Sequence, residues 1–96
     1  MATVVVTHTS AADLDKLIEK HRLPTTTRER VRGSLSRLAS FPLIGPALEG
    51  NWLGYRFLLG PWPWMLIVYI YDGAADQVAI VTVQDARSEA SARTPR

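Results

Sequence analysis

The order of elements along this chain predicts an α+β fold: an N-terminal strand, then a helical hairpin packed on a mainly antiparallel four-stranded sheet. Three observations carry that prediction. Residues Thr3 to Thr7 (TVVVT) are β-branched throughout, which suits a strand. Two segments with apolar residues at helical spacing lie on either side of Pro24. Three apolar runs divided by turn residues then follow.

Each element has a local reason. Ser10 offers an N-cap oxygen, and Asp13 favours the positive end of the helix that follows. From Ala11, the residues Leu14, Leu17 and Ile18 fall on one helical face. Pro24 restricts Leu23 and ends that helix near Arg22. Thr26 with Glu29 has the spacing of a capping box, and Val31, Leu35 and Leu38 repeat at i, i+4 and i+7 as the apolar stripe of a second helix. Pro42, Gly45, Pro46 and Gly50 make Phe41 to Gly54 a loop. The later strands are expected at Tyr55 to Leu59, Met65 to Tyr71 and Val78 to Val83, with Asp72-Gly73 turning the last pair. The Met65 to Tyr71 run is apolar without a break, so it reads as a central strand covered on both faces. The first strand joins the sheet by a crossover through the hairpin.

Composition sets the outer bounds. Ninety-six residues make one domain, expected over 1–87, with a frayed tail over 88–96. The absence of cysteine excludes a disulfide scaffold, a thiolate metal site and a thiol nucleophile. The longest apolar run, Trp64 to Tyr71, is eight residues. A membrane-spanning helix needs about 20. Together with an N-terminus that lacks the pattern of a signal peptide, this points to a cytoplasmic protein with no membrane partner. No His, Asp or Glu spacing implies a metal, and no cofactor is expected.

The net charge of +2 conceals an uneven distribution. Between Lys20 and Arg37, six bases (Lys20, Arg22, Arg28, Arg30, Arg32, Arg37) stand against Glu29 alone, a local +5. Between Asp72 and Glu89, four acids stand against Arg87, a local −3. The basic helical stretch fits nucleic-acid phosphates, an acidic protein segment or a solvated surface. It has no interleaved aromatic residues on which bases would stack, which weakens a plain nucleic-acid-binding module.

The sequence also carries a resemblance. The run Leu35 to Pro42 (LSRLASFP), then Gly45, then Leu48 to Gly50 (LEG), then Tyr55 to Leu58 (YRFL), Leu66 to Tyr69 (LIVY) and Val81 to Arg87 (VTVQDAR) resembles the RelE/ParE superfamily of bacterial toxins in order and spacing. The resemblance covers about Thr3 to Arg87. It implies the toxin of a type II toxin–antitoxin pair, with a cognate antitoxin as partner. Its target is either mRNA on the ribosome, which RelE-like members cut, or DNA gyrase, which ParE-like members block.

Cutting RNA needs a base for the 2′-hydroxyl, charge stabilisation at the phosphorane and an acid for the leaving oxygen. By resemblance, Arg56, Arg87 and Tyr55 are the catalytic candidates, supplemented by Tyr69 or Tyr71. Arg28, Arg30, Arg32 and Arg37 are candidates for contact with RNA or the ribosome. Arg28, Arg32, Trp52 and Trp62 are candidates for contact with the antitoxin. Arg56 and Arg87 are expected near each other on the solvent-facing side of the sheet, away from the helices. The basic set is reduced: Leu58, and Met65 or Leu66, are apolar where ribonucleolytic relatives carry basic residues, and Gln84-Asp85 replaces a basic or histidine position. An arginine stays protonated and is no general base. His8 and His21 are the only groups that ordinarily titrate near neutrality, and neither sits at a position the family uses. The resemblance therefore leaves three readings open: ribosome-dependent mRNA cleavage with a reduced site, gyrase inhibition without catalysis, or an inactive member acting through protein contacts.

Overall fold

The computed structural model describes residues 1–88. It contains β1 (Thr3–Val6), α1 (His8–His21), α2 (Thr27–Ser40), β2 (Arg56–Leu59), β3 (Met65–Asp72) and β4 (Gln77–Asp85). The sheet order is β1-β4-β3-β2. β2–β3 and β3–β4 pair antiparallel, and β1 runs parallel to β4. The α+β architecture is thus as expected, with one parallel pair at the edge. β1 and β2 occupy opposite edges, so the helical hairpin must cross the width of the sheet between them. Of the expected tail, only Ser88 belongs to the described residues, and 89–96 lie outside them.

β3 occupies the interior position that its composition predicts, and Met65, Leu66, Ile67, Val68 and Tyr69 are all fully buried. Successive strand residues face opposite sides. Met65, Ile67 and Tyr69 meet Val31, Leu35 and Leu38 of α2 together with Leu58, Val78, Ile80 and Val83. Leu66 and Val68 point the other way, under Leu48, Trp52, Tyr55 and Phe57. The segment expected to be a loop therefore covers the second face. It includes a short 3₁₀ turn, Gly50–Trp52, and an isolated bridge from Ala47 to Arg56.

β1 pairs with β4 only as far as Val6 opposite Ile80. Beyond that point α1 takes over the exposed edge of β4: Thr82 donates to an Asp13 carboxylate oxygen, and His21 lies beside Asp85. β4 also carries a bulge, because Val68 pairs with Thr82 while Tyr69 pairs with Ile80, leaving Val81 unmatched. That extra residue lets both Ile80 and Val83 face the helix-side core.

Two helix starts differ from expectation. Thr7, not Ser10, caps α1: its Oγ1 accepts from the Ser10 backbone N–H at 3.2 Å and donates to the Ile80 carbonyl at 2.6 Å. Thr7 wins because one hydroxyl then serves both the helix and the sheet, whereas Ser10 is buried within the first turn. At α2, the Thr26 side chain makes no capping bond. Buried Thr27 instead donates to the Pro24 carbonyl at 2.6 Å, closing the turn between the helices.

The approach to β2 is fixed by a polar knot. The buried Tyr69 hydroxyl accepts from the Gly45 N–H at 2.9 Å, and Arg56 Nη1 donates to the Gly45 carbonyl at 2.8 Å. A Cβ at Gly45 would lie 2.2 Å from the Phe57 carbonyl oxygen and 2.8 Å from the Tyr69 hydroxyl, so only glycine fits. Gly45→Ala is therefore expected to cost about 2 kcal/mol or more, a Tm drop of roughly 10 °C. Thermal unfolding measures it, and an unchanged Tm would refute the packing.

Candidate functional site

Several of the candidate side chains gather where the tip of the helical hairpin meets the far end of the sheet. Pro61 and Pro63 bracket Trp62, and the short linker delivers Trp62 and Trp64 under the helices, with ring centroids 6.4 Å apart. Arg30 of α2 lies over Trp62 at 4.8 Å, and Arg87 lies over Trp64 at 4.9 Å. A guanidinium on an indole face is held by the ring's quadrupole and keeps its edge free for an anion. His21, the last residue of α1, packs on the same Trp64 with ring centroids 4.7 Å apart.

Asp85 organises the charges here. It accepts from Arg87 Nε at 2.9 Å and from Arg87 Nη2 at 2.8 Å, one bond to each oxygen, and from the Arg87 backbone N–H at 2.9 Å. These bonds hold the Asp85 carboxyl down to about 2, below its ordinary 3.8, and push the Arg87 guanidinium up. The Nε2 of His21 lies 3.5 Å from an Asp85 oxygen and makes no hydrogen bond. His21, Trp64 and Asp85 were not among the residues assigned a role from sequence. The only signal for them was the pair of tryptophans flanked by prolines, because the meeting of α1 with the end of β4 is a tertiary event.

The three catalytic candidates are not brought together. Arg56 pairs with Tyr69 and so shares its face, beneath the helix side, contrary to the expected solvent-facing position. Its guanidinium is engaged with the carbonyls of Gly45 and Leu43. Tyr55, one residue earlier, packs edge-on against Trp52 at 5.5 Å over the opposite face. Arg87 follows Asp85, which pairs with Met65, whereas Arg56 pairs with Tyr69 four residues further along β3. Four residues at about 3.3 Å each, combined with two strand spacings of about 4.8 Å, separate the two positions by roughly 16 Å. The expected proximity of Arg56 and Arg87 is therefore corrected. The sheet alternation and the register place them at different ends.

The remaining candidates divide in the same way. Arg28, Arg30, Arg32 and Arg37 are exposed along α2. Trp62 lies on that helix side under Arg30, whereas Trp52 covers the opposite face. The sheet face away from the helices carries rows of uncharged side chains: Val5, Ala79 and Ile70, then Thr82, Val68 and Phe57, then Gln84, Leu66 and Leu59, with Leu66 and Val68 buried beneath the segment that holds Leu48, Trp52 and Tyr55. The burial of Tyr69 raises its phenol above 10.0, and the hydrogen bond to Asp76 raises that of Tyr71, so neither is a base near neutrality. Arg30 is equipped to bind phosphate, whereas the guanidinium edge of Arg87 is taken by Asp85.

Asp85 sets a pH dependence. Its folded pKa is depressed, so its contribution to stability is complete above about pH 4 and is lost as the pH falls from there through about 2. Urea unfolding across pH 6 to 2 is expected to give a shallower acid decline for Asp85→Asn than for the native chain. Parallel declines would contradict the assigned pairing with Arg87.

No family model matches the chain, and no curated protein matches it. Solved structures do. A chain of the toxin–antitoxin complex RelBE2 from Mycobacterium tuberculosis is 27% identical, with a TM-score of 0.58, covering 88% of this chain and 96% of that one. The chromosomal ParDE system from P. aeruginosa matches with a TM-score of 0.69 at 15% identity over 91% of this chain and 98% of that one. A YoeB/ParE toxin from Agrobacterium tumefaciens matches with a TM-score of 0.67 at 17% identity over 86% and 96%. The last two likenesses are of fold alone. The strand order, the hairpin and the 27% sequence likeness to RelBE2 agree: the chain has the fold of the RelE/ParE toxins of type II toxin–antitoxin systems and is similar to them in sequence.

Proposed function

We propose that this chain is the toxin of a toxin–antitoxin pair, held inactive by a cognate antitoxin, and that it arrests growth by binding a protein target of the gyrase type. The observation that carries this reading is the dispersal of Tyr55, Arg56 and Arg87 over two faces and two ends of one sheet. Phosphoryl transfer within RNA needs its acid, base and charge-stabilising groups around one phosphate. Here Arg56 is spent on loop carbonyls, Tyr55 on packing and Arg87 on Asp85. A binding inhibitor needs no proton-transfer group. It needs complementary surface, which the exposed arginines of α2 supply. The antitoxin follows from the company the fold keeps, since RelBE2 and the intact RelBE from E. coli are toxin–antitoxin complexes.

Induction of the chain in a bacterial host, together with transcript-end mapping and a supercoiling assay on purified gyrase, tests the proposal. Growth arrest with intact translated transcripts and inhibited supercoiling is the expected result, and Arg87→Ala should leave the arrest in place. Cuts within translated codons that disappear in Arg87→Ala or Arg56→Ala would establish the competing RelE-like cleavage and overturn the binding mechanism.

A further inference from the structure

The two edges of the sheet are finished differently. Along β2 the incoming loop closes the edge. Ala47 bridges Arg56, the Leu48 N–H donates to the Tyr55 carbonyl at 2.8 Å, and the Phe57 N–H donates to the Pro46 carbonyl at 3.2 Å. β1 has less cover. Thr3 and Thr7 give their N–H groups inward, to the Asp76 and Ile80 carbonyls at 3.0 and 3.3 Å. Alternate residues of a strand turn their backbone groups to opposite edges, so Val4 and Val6 turn theirs outward. The end of α2 takes the outward donor before them, the Ala2 N–H bonding the Ala39 carbonyl at 2.7 Å. Among the described residues no strand lies beyond β1, and the N–H and C=O groups of Val4 and Val6 are left without a backbone partner.

An open edge is ordinarily guarded by a charge, a proline or a bulge. β1 has none of these, and with Thr7 it reads TVVVT. Its side chains are apolar on both faces. Val5 shares a row with Ala79 and Ile70 on the face away from the helices, where Val5 is 36% and Ile70 37% exposed. Val4 and Val6 lie on the helix side, Val4 packed on the core and Val6 53% exposed. The segment reads the same in both directions. Two copies laid antiparallel about Val5 therefore set Thr3 opposite Thr7, Val4 opposite Val6, and Val5 opposite Val5 of the second copy. In that register the outward groups coincide. Val4 and Val6 become hydrogen-bonded pairs that exchange both bonds, and the two Val5 residues take the close position between them, with Cα atoms about 4.5 Å apart.

We infer that two copies of this chain pair through β1, antiparallel and centred on Val5, and join their four-stranded sheets into one. The twofold axis stands normal to the sheet, so both helical hairpins lie on the same side of it. The row of Ile70, Ala79 and Val5 continues into the same three residues of the second copy, which buries apolar surface as well as completing the backbone bonds. An isologous contact of this kind uses up the edge and stops at two copies. It is small beside a standard interface of about 1,600 Å², and the arginines of the two α2 helices repel, so the pair is a weak one with a Kd of about 10–100 μM. The inference does not depend on the target of the chain.

Sedimentation equilibrium of the full chain tests it, from about 5 to 500 μM in about 0.5 M salt, which screens the arginines beyond about 4 Å. The mean mass is expected to rise from 10.7 kDa toward twice that value and no higher. Val5→Lys sets like charges directly opposite each other and is expected to weaken the pair at least tenfold, with Tm unchanged. A cross-link reads the register independently, because the native chain has no cysteine. Val5→Cys is expected to oxidise to a covalent dimer, since its Cα spacing suits a disulfide. Thr3→Cys lies on the same face but roughly 14 Å from its counterpart, and is expected to cross-link at least tenfold more slowly. A monomer throughout the range, growth beyond a dimer, native-like association of Val5→Lys, or equal cross-linking of the two cysteine variants would overturn the inference. So would a monomer whose Val4 and Val6 amides resist hydrogen exchange, which would mean that the edge is covered within one chain.

Discussion

The five buried residues Met65 to Tyr69 oblige this small protein to cover a sheet on both sides. One face takes α2, whose Val31, Leu35 and Leu38 lie over the centre. The other face has no α-helix among the described residues and is covered by the chain between α2 and β2, through Leu48, Trp52 and Tyr55. Burying an aliphatic or aromatic side chain contributes about 1.5–3 kcal/mol, so leaving that second face bare would cost several such increments. The consequence for function is direct. The face away from the helices is committed to packing and uncharged rows, and Tyr55 is part of that cover. A cluster of basic catalytic groups has no place there.

Both ends of the sheet are held by charged groups turned inward to local tasks. At one end Arg56 and Tyr69 grip Gly45 and fix the path of the loop. At the other, Arg87 and Asp85 lock together over Trp64, with His21 closing the tip of α1 against them. A guanidinium is well suited to both duties, since it keeps its charge and offers several donors at once. The same property makes an arginine a poor stand-in for a missing base. The arginines left exposed on α2, by contrast, face outward, where a protein partner can meet them.

Much of this was legible in the sequence because it depended on local chemistry. The unbroken apolar run at Met65 to Tyr71 identified the interior strand, and the spacing of Val31, Leu35 and Leu38 identified the buried face of α2. What failed to show depended on partners distant in sequence. Thr7 displaced Ser10 as a cap because its hydroxyl also reaches Ile80, and no local pattern contains that carbonyl. The bulge at Val81 follows from fitting Ile80 and Val83 to one core. The face of Arg56 follows from its register against Tyr69, and a slip of one residue would have turned it outward. The catalytic candidates were drawn from a resemblance in linear order, and linear order does not record which side of a strand a residue faces.

The central claim, that the sheet keeps the two candidate arginines apart, is open to a direct distance measurement. The chain has no cysteine, so spin labels placed through Arg56→Cys and Arg87→Cys report on those two sites alone. Dipolar electron spectroscopy is expected to give a separation of roughly 16 Å or more, set by strand rise and spacing. A narrow distribution centred below about 10 Å, on the order of two strand spacings, would place both side chains around one phosphate and contradict the account.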